Sequence, residues 1–102
     1  MYFIFIGKDK PGMLETRKAT RATHRKHVRN SDGPMRLMTG GPLAGKDGEM
    51  NGTFLMFEAP DHETAQEFLD ADPYHQAGMF ASRELRAFHE AAELPVALTQ
   101  SN

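Results

Sequence analysis

The stretch GTFLMFEAPDHETAQEFLDA, at positions 52–71, decides the fold because it holds a strand and a helix in direct succession. Gly52 to Glu58 is an apolar run of strand length. Asp61 is suited to cap a helix N-terminus, and Glu63 falls in the first turn after it. Helical spacing then places three apolar side chains on one core-facing stripe: Ala65, Phe68 and Leu69. This stretch therefore predicts a strand followed by a helix that runs to about Ala71.

The segment before this stretch predicts the strand that pairs with it. Met35 to Thr39 alternates in strand fashion, and we expect it to stop at Gly40-Gly41-Pro42 because a sheet does not continue across a proline. A polar loop from Ala44 to Asn51 then leads into the strand at 52–58. The two strands are expected to form a hairpin.

The N-terminal third predicts a strand and a helix. Tyr2 to Ile6 is aromatic and β-branched and ends at Gly7, which is typical of a strand buried on both faces. Leu14 to about Arg29 contains no Gly or Pro and predicts a helix, which the turn-forming residues 30–34 terminate. Its apolar stripe is sparse: Leu14, Ala19, Ala22 and Val28. We therefore expect this helix to lie on a sheet with much of its surface in water.

The remaining elements complete the predicted topology. Asp72-Pro73 ends the second helix, Tyr74 to Gly78 is a short connection, and Met79 to Phe88 is a final strand. The order βαββαβ predicts a ferredoxin-like α+β fold, with two helices on one face of a four-stranded antiparallel sheet. The apolar strands predict that the uncovered face packs against a second copy, giving a homodimer. The domain is expected to span residues 1–88, with a C-terminal tail at 89–102.

Composition excludes several classes of function. The 102 residues suit one small domain, and the absence of Cys rules out disulfides and thiolate chemistry. No apolar run is long enough for a membrane span or a signal peptide, so we expect a cytoplasmic protein without membrane partners. Residues 1–57 carry a net charge of +5 and residues 58–102 carry −7, against −2 for the whole chain. The acidic total and the lack of an aromatic motif argue against nucleic-acid binding.

His24 and Asp72 are the candidates for chemistry. Arg17, Arg21, His24 and Val28 follow one face of the first helix, so two guanidiniums and an imidazole point the same way and favour an anion. If Asp72 approaches His24, the carboxylate orients the imidazole and raises its basicity. The plainer alternatives are a solvated basic helix for the first group and a turn-stabilising role for Asp72. The histidine spacing gives no support for a metal site.

Five segments, in this order and spacing, carry a resemblance to a known family. They are the aromatic first strand, DKPGMLETRKATRATH at 9–24, LMTGGPL at 37–43, GTFLMFEAPDHETAQEF at 52–68 and DADPYHQAGMF at 70–80. Over Tyr2 to about Phe88 the chain resembles the YciI-like proteins of the YCII-related domain family. The resemblance implies a dimeric α/β-barrel fold and a candidate active-site pocket whose His and Asp match His24 and Asp72. Relatives include a dehydrochlorinase that acts on a chlorinated hydroxyhydroquinone, and the wider superfamily includes muconolactone isomerase.

These observations lead to two functional hypotheses. In the favoured one, the protein is a cofactor-independent lyase or isomerase that acts on a small anionic or phenolic molecule. His24 is then the general acid or base, Asp72 orients it, and Arg17 and Arg21 hold the substrate's charge, while the backbone at Gly41 and Pro42 shapes the pocket. In the alternative, the protein is a non-catalytic dimeric module that binds an anionic metabolite or a partner protein. The substrate and the direction of reaction stay open, and neither a cofactor nor a metal is expected.

Overall fold

A computed structural model describes residues 1–30 and 32–91, which build a four-stranded antiparallel sheet with helices on one face. The elements are β1 (Tyr2–Asp9), α1 (Leu14–Val28), β2 (Arg36–Ala44), β3 (Met50–Glu58), α2 (His62–Asp70), α3 (Pro73–Gln76) and β4 (Phe80–Phe88). The strands lie in the order β2-β3-β1-β4, so β1 and β3 are central and β2 and β4 are edges. The predicted ferredoxin-like α+β fold and the β2–β3 hairpin are confirmed.

The sheet separates a packed face from an open one. Phe5 lies opposite Leu55 of β3 and Leu85 of β4, and it is 1% exposed beneath the helices. Ile4 and Ile6 point to the other face and are only partly buried, as the alternation of a strand requires. The buried core contains Phe3, Phe5, Val28, Met35, Leu55, Phe57, Ala59, Ala65 and Leu69. Within one chain, β1 is therefore well covered on its helix-facing side only.

The edge strand β2 is longer than the sequence predicts. The prediction that the strand stops at Gly40 is wrong, because pairing continues through Pro42, which lies opposite Thr53, to Ala44. An edge strand tolerates proline when the missing N–H faces away from the sheet. The extended β2 places Gly40, Gly41 and Pro42 inside the sheet rather than in a loop.

The buried side of α1 also differs from the predicted apolar stripe. Ala19 and Ala22 are exposed, whereas Arg17 and His24 are buried, at 2% and 7% exposed, together with Val28. A buried arginine and a buried histidine on one helix face need polar partners, since an unpaired polar group out of water is costly. These partners define the site described below.

Two aspartates begin the later helices. Asp61 caps α2 by accepting a hydrogen bond from the Thr64 N–H at 2.7 Å, which also lowers the pKa of its carboxyl. Asp72 and Pro73 end α2 as predicted, but the following residues form the one-turn helix α3 instead of a plain connection. Asp72 is its N-cap and Pro73 its first residue, a position where proline costs no hydrogen bond.

The C-terminal tail lies mostly beyond the described residues, which end at Ala91. None of the helices in the described part of the chain has the length and apolar content needed to cross a bilayer.

Candidate functional site

The His24 imidazole and the Asp72 carboxylate meet inside the protein. His24 Nδ1 lies 2.7 Å from Asp72 Oδ1, and their side chains are 9% and 2% exposed. The two residues are 48 positions apart in the chain, and the packing of α3 against α1 brings them together. The convergence that the sequence could only suggest is therefore present in the fold.

This contact determines which nitrogen of His24 can react. An ionised carboxylate only accepts hydrogen bonds, so the Nδ1–H donates to Asp72 and the lone pair of the neutral ring lies on Nε2. Nε2 makes no hydrogen bond to any other described residue. His24 also lines a recess between α1 and the sheet, so its unused nitrogen is the one available to a ligand.

Tyr74 packs against the face of the His24 imidazole. Its ring stacks on the His24 ring with centroids 3.8 Å apart and planes 13° apart. The backbone N–H of Tyr74 donates to the same Asp72 Oδ1 at 3.0 Å. Burial raises the pKa of the Tyr74 hydroxyl, and the charges of Arg17 and Arg21 partly oppose this shift. The phenol is therefore neutral at pH 7.

Arg17 is held by a buried network of its own. Its Nε and Nη2 donate to the two carboxylate oxygens of Asp9 at 2.8 and 2.9 Å, and Nη2 also donates to Thr53 Oγ1 at 2.7 Å. The guanidinium carbon lies 4.7 Å from the centroid of the Tyr74 ring, in cation–π contact. The Asp9 carboxylate compensates much of the positive charge of Arg17. Arg17 therefore holds the Tyr74 ring in position as well as contributing charge to the site.

A cavity of about 200 Å³ lies beside these residues, between α1 and the sheet. Its helix side comprises Arg17, Arg21, His24, Arg25, Val28 and Arg29. Its sheet side comprises Leu37, Gly40, Gly41, Pro42, Met50, Thr53 and Leu55, and Tyr74 of α3 also lines it. At about 30 Å³ per water molecule the cavity holds roughly six or seven waters, a volume that suits one substituted six-membered ring.

The lining of the cavity is strongly positive. No Asp or Glu lines it, whereas four arginines do. Arg21 donates to Met50 Sδ at 3.6 Å, a weak acceptor, and also interacts with the Tyr74 hydroxyl. Among the described residues it forms no ion pair with a carboxylate, so its positive charge is available to a ligand. Within residues 1–30 and 32–91, no group of three His, Asp or Glu side chains is arranged to hold a metal ion. The arrangement suits a small anion beside a proton-transferring imidazole.

The structure places all six sequence-selected residues at or behind this cavity. Arg17, Arg21, His24, Gly41 and Pro42 line it, and Asp72 lies behind the imidazole. Sequence reasoning missed Tyr74, Asp9 and Thr53. The sequence does contain a signal for Tyr74, which follows Asp72-Pro73 directly. A helix that begins at Asp72 holds the Tyr74 side chain close to the Asp72 carboxylate. No local pattern indicated that Asp9 pairs with Arg17 rather than with another of the neighbouring cations.

Comparisons with known proteins identify similar sequences and a similar fold. Protein YciI of Escherichia coli is 29% identical over 94 residues, which are 86% of this chain and 96% of that protein. An uncharacterised protein of Haemophilus influenzae is 28% identical over the same shares of both chains. Among solved structures, 5-chloro-2-hydroxyhydroquinone dehydrochlorinase from Burkholderia phenoliruptrix, in complex with 2,5-dihydroxybenzoquinone, is 29% identical. It superimposes with a TM-score of 0.79 over 89% of this chain and 96% of its own.

The family assignment rests on nearly the whole described domain. The sequence profile of the YCII-related domain matches residues 1–89, from the start of β1 to just past the end of β4. Every element that builds the sheet, the cavity and the His24–Asp72 contact lies inside this range. The chain therefore belongs to the YCII-related domain family.

Proposed function

We propose that the protein is a cofactor-independent enzyme that transfers a proton within, or removes one from, a small anionic or phenolic molecule. The observation that carries the proposal is the buried 2.7 Å contact between His24 Nδ1 and Asp72 Oδ1 at the wall of a cationic cavity. The contact leaves Nε2 as a base, which is what a lyase or isomerase of this kind requires.

In the proposed mechanism His24 Nε2 removes a proton from carbon or from a hydroxyl of the bound molecule. The imidazole then becomes a cation, which the Asp72 carboxylate stabilises across the Nδ1–H bond. The electron pair left on the substrate either expels a leaving group, completing an elimination, or shifts so that the imidazolium returns the proton elsewhere, completing an isomerisation. In the isomerisation His24 returns the proton to the substrate, and in the elimination it releases the proton to solvent, so these steps call for no cofactor.

The other cavity residues bind and orient the substrate in this proposal. Arg21 and Arg17 stabilise the negative charge that develops on the substrate oxygen, with Arg21 contributing more because Asp9 already neutralises Arg17. Gly41 and Pro42 lie on the opposite wall and limit its width. The neutral Tyr74 fixes the plane of the imidazole. The dehydrochlorinase relative supports the reaction class, because the loss of hydrogen chloride includes the removal of a proton.

The experiment is a turnover assay with matched histidine variants. We incubate the protein with 5-chloro-2-hydroxyhydroquinone and follow chloride release, and a panel of phenols and lactones is followed by absorbance. His24→Ala is expected to lower turnover about 10²- to 10⁴-fold, whereas His89→Ala, an exposed histidine outside the cavity, leaves it unchanged. Unchanged turnover in His24→Ala contradicts the mechanism. Ligand binding without turnover, surviving loss of both His24 and Asp72, identifies the non-catalytic module instead.

We also propose that the protein is a homodimer formed through the open face of the sheet. That face carries six large apolar or aromatic side chains, each only partly buried in one chain: Tyr2, Ile4, Ile6, Phe54, Met56 and Phe88. Glu58, Glu84 and Arg86 share this face, but an apolar cluster of this size on a sheet face is rarely left in water. A second copy is the occupant we propose, because a two-fold axis places the same apolar side chains of two chains against one another.

A further inference from the structure

Ion pairing divides the arginines of this chain into two groups. Arg17, Arg36, Arg83 and Arg86 each form an ion pair with an Asp or Glu. In the described part of the chain Arg21, Arg25 and Arg29 form none, and all three line the cavity. Most arginines here therefore find a carboxylate, including two on exposed strand surfaces, while the cavity arginines are left without one.

Along α1 and its C-cap, the arginines and the lysines lie on different faces. Every arginine of this segment lines the cavity, whereas its two lysines, Lys18 and Lys26, do not. Basic residues in a last helical turn interact favourably with the helix dipole, but this effect does not distinguish Arg25 from its neighbour Lys26. A planar guanidinium binds carboxylate or phosphate oxygens in pairs, which an ammonium does not. The choice of arginine on the cavity face points to oxyanion binding.

The three arginines that have no ion pair with a described residue are spread over a longer distance than one small anion can span. Arg21, Arg25 and Arg29 recur every four residues, so successive positions rise about 6 Å along the helix. Arg21 lies next to His24, and Arg29 is two turns further on. The lining of the same cavity also includes three apolar side chains, Leu37 and Leu55 from the sheet and Val28 from the helix. A ligand that satisfies this cavity has an apolar body and charge at both ends.

We propose that the ligand carries two anionic groups, the first bound by Arg21 beside His24 and the second bound by Arg25 and Arg29. This inference rests on the proposed function because it concerns the same cavity, and it adds a substrate class, namely planar molecules with two oxyanion groups. Arg25 and Arg29 are then specificity-determining residues that do not touch the reacting atoms. Both carboxylate and phosphate provide the chemistry that the second position recognises.

The test compares the affinities of benzoate, benzene-1,4-dicarboxylate and 4-carboxyphenyl methyl phosphate, a phosphate diester with a single phosphate charge, measured by calorimetry at low ionic strength. Both dianions are expected to bind about tenfold more tightly than benzoate, as two charge-assisted contacts at a partly exposed site allow. The tighter of the two identifies the group preferred at the second position. Amide shifts at Val28 and Leu37 in NMR spectra locate the bound probe.

Two double variants separate local binding from overall charge. Arg25→Gln with Arg29→Gln is expected to abolish the preference for dianions, while Lys18→Gln with Lys26→Gln removes the same charge from the same helix and retains it. Equal affinity for benzoate and both dianions in the unmodified protein, or equal loss in the two double variants, overturns the inference. His24→Ala is expected to retain the preference, so a failure of the proposed chemistry and a failure of this inference are distinguishable.

Discussion

The imidazole of His24 lies face to face with the phenol ring of Tyr74, at 3.8 Å between centroids. Tyr74 is 2% exposed and also contacts Phe80 edge-on, so its own position is fixed by the core. The stacked ring prevents the imidazole from rotating out of the plane in which Nδ1 meets Asp72. Orientation of the candidate base thus depends on packing as well as on the hydrogen bond.

The tautomer of His24 can be observed directly. We expect ¹⁵N NMR at neutral pH to show a protonated Nδ1 and an unprotonated Nε2 in the uncharged ring, because the Asp72 carboxylate only accepts hydrogen bonds. Asp72→Asn retains an oxygen that can cap α3 but loses the negative charge, and we expect it to lower turnover on the order of 10²-fold or more. An uncharged His24 that carries its proton on Nε2 contradicts the geometry of the site.

Tyr74 predicts a loss of stability in alkali. Folding raises the pKa of its hydroxyl, so the folded protein holds this proton more tightly than the unfolded chain. The resulting contribution is complete below the unfolded pKa of about 10 and is lost as the pH rises through the folded pKa. Urea unfolding between about pH 9 and pH 11.5 measures this effect. Tyr74→Phe retains the stacked ring and should show a smaller fall. Equal slopes in the two proteins contradict the prediction.

Because the Asp9–Arg17 pair is buried and the Glu58–Arg36 pair is exposed, we expect the loss of each carboxylate to lower the free energy of unfolding by different amounts. The side chains of Asp9 and Arg17 are 4% and 2% exposed, so Asp9→Ala leaves a buried, unpaired guanidinium and should lower the free energy of unfolding by about 3–5 kcal/mol. Glu58→Ala breaks the exposed pair with Arg36 and should cost less than about 1 kcal/mol. Chemical denaturation compares them, and similar costs argue against the buried network.

Adjacent glycines of β2 provide a matched pair. A Cβ on Gly40 lies 2.8 Å from the Phe54 carbonyl oxygen, whereas a Cβ on Gly41 meets nothing within 4 Å. Gly40→Ala should therefore destabilise the protein by about 1–3 kcal/mol, since backbone at that distance must shift. Gly41→Ala should leave the melting temperature nearly unchanged. If both variants melt together, the register of β2 against β3 is wrong.

The proposed homodimer predicts a change in mass when the open face is charged. Analytical ultracentrifugation at micromolar concentration should give a dimer for the unmodified protein and a monomer for Ile4→Arg, because a buried, unpaired guanidinium opposes sheet-to-sheet contact. Lys18→Glu, on the exposed side of α1, is the control and should remain dimeric. A monomer in the unmodified protein excludes this interface.

Local patterns predicted the order of elements because turns, caps and periodicity are short-range properties. Asp61 and Asp72 were recognisable as helix boundaries, and the run from Tyr2 to Ile6 as a strand. The end of β2 was mistaken because the effect of Pro42 depends on whether its strand lies at an edge, which is a property of the whole sheet.

The candidate site was predictable only in part, for a related reason. The face shared by Arg17, Arg21 and His24 follows from helical geometry, and all three line the cavity. That Arg17 is buried follows from a contact with Asp9, at the end of another element, which no spacing reveals. Ala19 and Ala22 are predicted to lie inside because they are apolar, but the face of the helix that carries Arg17 and His24 is the buried one.

A single oxygen, Asp72 Oδ1, accepts hydrogen bonds from both the His24 ring and the Tyr74 backbone N–H. The protonation state of the His24 imidazole is therefore thermodynamically linked to the local opening of α3. This linkage is reciprocal, so each equilibrium shifts the other. A bound molecule that changes the charge of His24 must also change how often this turn opens. Deuterium exchange at the Tyr74 amide is then expected to report on the charge of the His24 ring.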